Sequence, residues 1–170
     1  MIPLLALTVA ALSSCGGDDG SDSADKGSAA TTSPAVAQGL CTTITEAHFA
    51  AFFSSAAGPG VPDGTDVTCN WPAVTDTGAE RGRLYVGTSP IPYDKTVANS
   101  EQMGQTVTDV EGLGDRAHLT VDGGLMWLTI EVGDTVHSVT VEYFDTAGMT
   151  PPDEVEAALR QLATDYLANR

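Results

Sequence analysis

The stretch TVTDVEGLGDRAHLTVDGGLMWLTIEVGDTVHSVTVEYFD, residues 106–145, decides the fold. Apolar and polar residues alternate along it, the period of a strand with one buried face. Two glycine-led pairs, Gly123-Gly124 and Gly133-Asp134, interrupt the alternation where two-residue hairpin turns fit. Turns at those points fix the register. Across the first, Val121 faces Met126, Leu119 faces Leu128 and Ala117 faces Ile130, while Thr120 with Trp127, His118 with Thr129 and Arg116 with Glu131 share the other side. Across the second, Leu128 faces Val139 and Met126 faces Val141. A slip of one residue would mix the two faces. The spacing therefore predicts a three-stranded antiparallel meander, apolar on one face and polar on the other, with Trp127 central on the polar side and Thr140 beside it.

Beyond the meander, Val155, Ala158, Leu159, Leu162, Ala163, Tyr166 and Leu167 recur at helical spacing and make one stripe able to cover the apolar face. Thr150 suits the N-cap, Pro151 the first helical position, and Asp153 and Glu154 the positive end of the helix dipole. Before the meander, RGRLYVGTS (81–89) predicts a strand with Leu84 and Val86 on one face, and VTCNWP (67–72) another. CTTITEAHFAAFFSSAAG (41–58) predicts a helix with Thr43 and Glu46 at capping-box spacing. Phe49, Phe52 and Phe53 supply its buried face, and Gly58 with Pro59 its end. YDKTVANSEQMG (93–104) reads as a weak helix or an irregular crossover. The expected class is α+β: an antiparallel sheet of about five to six strands, with an N-terminal and a C-terminal helix packed on one face.

The first residues belong to a different regime. MIPLLALTVAALSS (1–14) is apolar but shorter than the about 20 residues a membrane-spanning helix needs, and fits the core of a secretory signal. Leu12-Ser13-Ser14-Cys15 resembles the lipobox of bacterial lipoproteins, in which the cysteine sulfur receives a diacylglyceryl group and a dedicated peptidase then cuts before that cysteine. Residues 15–40, built from Gly, Ser, Ala, Thr and Asp, cannot bury enough surface to offset ordering entropy. They read as a tether with a reach of roughly 25 to 30 Å, from about 5 to 6 Å times the square root of the length. Residues 41–170 then form one globular domain. With Cys15 acylated, Cys41 and Cys69 remain as an even pair outside the reducing cytosol, and a disulfide between them is expected.

The chain of 170 residues has 7 Lys and Arg against 23 Asp and Glu, a formal charge of -16. Nucleic acid is excluded as a partner, since no basic stripe is present to displace phosphate counterions. Direct docking on anionic headgroups is disfavoured as well. The expected location is the extracytoplasmic face of the cell membrane, held through the lipid on Cys15.

Several short features together resemble a known family. Cys41 at the start of a capped helix, Cys69-Asn70-Trp71, the Gly-Leu-Gly-Asp-x-Ala turn at 112–117, two further strands and a terminal Ala/Leu-rich helix are similar to small cell-surface lipoproteins of mycobacteria and other actinobacteria. The globular part of those proteins is a domain of unknown function. The resemblance covers residues 41–170, though family members more often carry Leu-Leu where this chain has Thr43-Ile44. It implies a cell-envelope lipoprotein with a disulfide and assigns no catalytic residue.

No enzymatic constellation is written in the sequence. His48, His118 and His137 lack metal-ligand spacing, and no Gly-x-Ser-x-Gly elbow or P-loop occurs. The glycines of GLGDRA lead into a strand, not a helix, and read as a tight turn rather than a phosphate cradle. No catalytic residue, metal or cofactor is therefore expected. The expected function is non-catalytic binding of a small molecule or envelope lipid, and the alternative is an interaction or accessory module of an envelope complex, anchored through aromatics such as Trp127 and Tyr85. A large apolar cavity would favour the first and a flat exposed apolar patch the second. The site is expected either in a pocket between sheet and helices or on the polar side of the meander, where the candidate binding face is Arg116, His118, Trp127, Thr129, Glu131 and Thr140. Were the SPIPYDK segment (89–95) to cap Trp127, that residue would be ordinary core.

Overall fold

A computed structural model describes residues 39–53, 58–144 and 152–170. The signal segment 1–14, Cys15, nearly all of the tether and the cap at Thr150-Pro151 lie outside the described residues. Among the described residues no helix is long and apolar enough to cross a membrane.

The meander takes the register its turns dictate. β6 (Arg116–Asp122), β7 (Leu125–Val132) and β8 (Thr135–Tyr143) pair antiparallel, with Leu119 opposite Leu128, Leu128 opposite Val139 and Arg116 opposite Glu131. Gly123 and Gly133 open the two turns at φ 58° and 59°, a backbone region other L-residues adopt at a cost. The sheet extends on both sides. β5 (Thr106–Asp109) adds to β6, while β4 (Glu80–Ser89) pairs with β8 and carries β3 (Thr68–Val74) beyond it. Two-residue strands β1 (Gly58–Pro59) and β2 (Asp63–Gly64) border β3, giving eight antiparallel strands where five to six were expected. The extra ones come from the loop 58–64, whose Gly and Pro residues left no alternation to read.

One face is the core. Leu84, Val86, Leu128, Ile130, Val139 and Val141 are fully buried on it, under the N-terminal helix α1 (Glu46–Phe52) and the C-terminal helix α3 (Pro152–Ala168). α3 contributes the stripe read from the sequence, with Val155, Leu159, Leu162 and Ala163 all at zero exposure. Phe49 and Phe53 stack at 4.9 Å, Phe53 meets the Tyr143 ring at 5.3 Å, and the Tyr143 hydroxyl donates to the Phe52 carbonyl at 3.0 Å. That burial pushes the Tyr143 phenol well above its ordinary range.

The helix start differs from the expected one. Residues Gly39–Thr43 form a 3-10 turn, so Gly39 and Leu40 belong to the fold rather than to the tether, and the N-cap is Thr45, not Thr43. The Thr43 hydroxyl is turned back onto the Leu40 carbonyl at 2.7 Å and cannot cap. Thr45 accepts from the His48 backbone N–H while the His48 Nδ1 accepts from the Thr45 N–H, a capping box with imidazole in place of the usual carboxylate. The 3-10 turn also holds Cys41, whose disulfide to Cys69 ties the entrance of α1 to β3 across 28 residues, as expected.

Candidate functional site

The polar face of the meander is not open. Residues Tyr93–Gln102 form α2, which crosses that face and packs against it with Tyr93 and Ser100 buried. The segment is poor in apolar residues; its one buried ring, Tyr93, meets the enclosed His118 edge-on at 5.0 Å, and an exposed charge network adds to the docking at the margin. Arg116 Nε donates to Glu131 at 2.7 Å and its Nη1 to Asp94 of α2 at 2.7 Å, and the guanidinium lies over the Tyr93 ring 4.3 Å from the centroid. Hydrogen bonds to Glu131 and then Asp94 push the Arg116 pKa further up, so its charge is permanent. Strand and helix are thereby clamped by one side chain.

The expected binding face divides under this helix. His118 and Thr129 are fully enclosed, at 0% and 2% exposure, and are not available as an outer surface. The correction has a simple cause: α2 supplies a third layer that the sequence left as an uncertain crossover. Glu131 and Arg116 stand at the margin as the charged pair expected from the register, while Trp127 and Thr140 are half-buried farther along the sheet. The six residues therefore do not form one accessible site.

What α2 creates instead is a cleft of about 650 Å³ between itself and the turn at residues 110–115. Val97 and Ala98 of α2 face Val110 and Leu113 of the turn, and Tyr93 forms one wall. The turn is the GLGDRA motif. Gly112 and Gly114 take φ of 78° and 62°, and a Cβ at Gly114 would run into the Glu131 carbonyl and the Ile130 side chain. Asp115 fixes the other end by accepting from the Gly133 N–H at 2.7 Å, joining this turn to the β7–β8 turn. A rigid turn and a helix held by Arg116 thus frame an apolar floor. Around it stand the carboxylates of Asp94, Glu101, Asp109, Glu111 and Asp115.

Two of the three histidines are accounted for by hydrogen bonds at both ring nitrogens. His48 Nε2 meets Asp165 of α3 at 2.9 Å while its Nδ1 serves the cap. Hydrogen bonds from Gln161 and then His48 hold the Asp165 carboxyl below the usual carboxylate range. His137 Nε2 accepts from Arg170 at 2.6 Å, since a guanidinium only donates, so the proton sits on Nδ1 and is donated to the Tyr166 hydroxyl at 2.8 Å. Both nitrogens of each of these two rings are hydrogen-bonded. His118 is the reverse case: enclosed, edge-on to Tyr93, with neither ring nitrogen paired among the described residues. Its burial pushes the pKa down, with the Asp109 charge opposing. Among the described residues no three His, Cys, Asp or Glu side chains are grouped as metal ligands.

Sequence reasoning missed the cleft because its two walls lie in separate segments, neither of which is strongly patterned. One signal was present: Arg116 is one of seven cations in a chain with 23 acidic residues, and the register sets it opposite Glu131. No protein-family model, curated protein or solved structure matches the chain.

Proposed function

We propose that this chain is an exported, lipid-anchored, non-catalytic ligand-binding module, held through Cys15 at the extracytoplasmic face of the cell membrane, with its site in the cleft between α2 and the 110–115 turn. The cleft is the observation that carries the reading. Its volume of about 650 Å³ falls within the roughly 300–1,000 Å³ typical of small-molecule sites. An apolar floor with a polar rim is the usual composition of such sites. Among the described residues the cleft is lined by no His, Ser, Thr or Cys side chain, which supports a binding rather than a catalytic reading. The Leu-Ser-Ser-Cys sequence, the tether composition and the resemblance to actinobacterial surface lipoproteins support the anchor. The protein-docking alternative has less support. Among the described residues the exposed large apolar side chains, Val61, Val67, Ile91, Met103 and Phe144, are spread over the loops around β2, both ends of α2 and the end of β8.

Native mass spectrometry of the chain extracted from its own membrane tests the reading, with Ala98→Phe as the variant that fills the cleft. The wild type should carry a non-covalent small-molecule adduct that Ala98→Phe lacks, with the melting temperature of the variant within a few degrees. An adduct that survives Ala98→Phe would place the site elsewhere.

A further inference from the structure

We infer that the ligand of this cleft is a low-molecular-weight organic cation, an amine or guanidine carried on an apolar body; the inference rests on the proposed binding role of the cleft. Charge decides the class. Five carboxylates, Asp94, Glu101, Asp109, Glu111 and Asp115, border the cleft against the single cation Arg116. That cation is already spent, because Arg116 is engaged by Asp94 within the cleft and by Glu131 outside it. Asp115 is tied to the Gly133 N–H. Among the described residues, no cation pairs with Glu101, Asp109 or Glu111; Glu101 comes from α2, and Asp109 and Glu111 from β5 and the turn that follows it.

The floor beneath them decides the rest. Val97, Ala98, Val110 and Leu113 offer hydrocarbon but no donor or acceptor side chain, so a bare hydrated ion would gain nothing from entering. The carboxylates do not gather into a ligand set either, since no group of three metal-binding side chains is present among the described residues. Acids spaced around an apolar floor suit a diffuse head group whose carbon skeleton fills the space between them. Arg116 already shows the pattern inside the same wall: a guanidinium stacked on the Tyr93 ring and hydrogen-bonded to the Asp94 carboxylate. An anionic ligand would meet net repulsion, and a neutral one would leave the charge unanswered.

The test uses the full chain in non-ionic detergent and three probes of one shape: 4-phenylbutylammonium, 4-phenylbutanol and 4-phenylbutanoate. Amide shifts in residues 93–102 and 109–117 report the site, and titration reports affinity. The cation should bind there, weaken as salt rises, and lose about tenfold in Glu101→Gln/Asp109→Asn, with the alcohol weaker and the carboxylate silent. The double variant Asp153→Asn/Glu154→Gln removes the same charge from the far end of α3 and should leave binding unchanged. Equal loss in both double variants would reduce the effect to the bulk field of an acidic protein and overturn the inference. Equal binding of all three probes at the same amides would overturn the cationic class while leaving the cleft as the site. Silence of these amides toward every probe would sink the inference and the cleft together.

Discussion

Tyr93 stands edge-on to His118, ring centroids 5.0 Å apart and planes at 76°, at the point where α2 closes over the polar face of the meander. The contact encloses an imidazole with neither nitrogen paired among the described residues. Unsatisfied buried polar atoms cost about 1–3 kcal/mol each, whereas an apolar group of the same shape does not. His118→Leu should therefore be neutral or stabilising by about 1 kcal/mol at pH 7, read by urea denaturation. A loss above about 2 kcal/mol would mean that the ring makes a hydrogen bond the structure lacks.

The same residue gives a pH signature with a definite sign. Burial depresses the folded pKa of His118, so between that value and the unfolded value of about 6.5 the unfolded chain binds more protons. Its contribution to stability is complete above about pH 6.5 and is lost as pH falls through the folded pKa. His137, also depressed by burial and then by Arg170, acts in the same direction. Denaturation at pH 7 and pH 5 should show His118→Leu gaining on the wild type as pH falls. An equal response of the two proteins would contradict the depressed pKa.

The Cys41–Cys69 bond should be structural only. Thiol counting on denatured, unreduced, deacylated chain should find neither cysteine free. Closing a loop of this length stabilises by about 3.5 kcal/mol on the chain-entropy view, so the double Ser variant should lose roughly that amount. Loss of ligand capture in a variant that still folds would contradict the structural assignment.

Anchoring should depend on Cys15. One acyl chain holds a protein only marginally at a bilayer, while two or more hold it stably. Cys15→Ser should leave the domain in the medium or as an unprocessed precursor without lipid label. A variant still labelled and membrane-bound would contradict the anchor.

Legibility in the sequence followed locality. The meander register could be read because Gly123 and Gly133 fix two turns and strict alternation then fixes every pair from Arg116 to Val141. The α3 stripe could be read because its seven apolar positions are contiguous in one segment. The cap of α1 was displaced by two residues because Thr43 and Thr45 are chemically alike, and only the 3-10 turn, set by packing of Leu40 and Cys41, chooses between them. α2 reads weakly because the partners it meets, His118 against Tyr93 and Arg116 against Asp94, lie on β6 and not within its own segment. The cleft inherits that weakness. It exists only when α2 and the 110–115 turn are brought together, and so His118 and Thr129 looked like an open face when they are the floor beneath a helix.

The most direct measurement is hydrogen–deuterium exchange on the membrane-extracted chain, before and after removal of whatever it carries. Bound ligand should slow exchange in residues 93–102 and 109–117 and leave β3 and β4 unchanged. Protection confined to the half-buried strip of β3 and β4 around Tyr85, with none in α2 or the turn, would contradict the account.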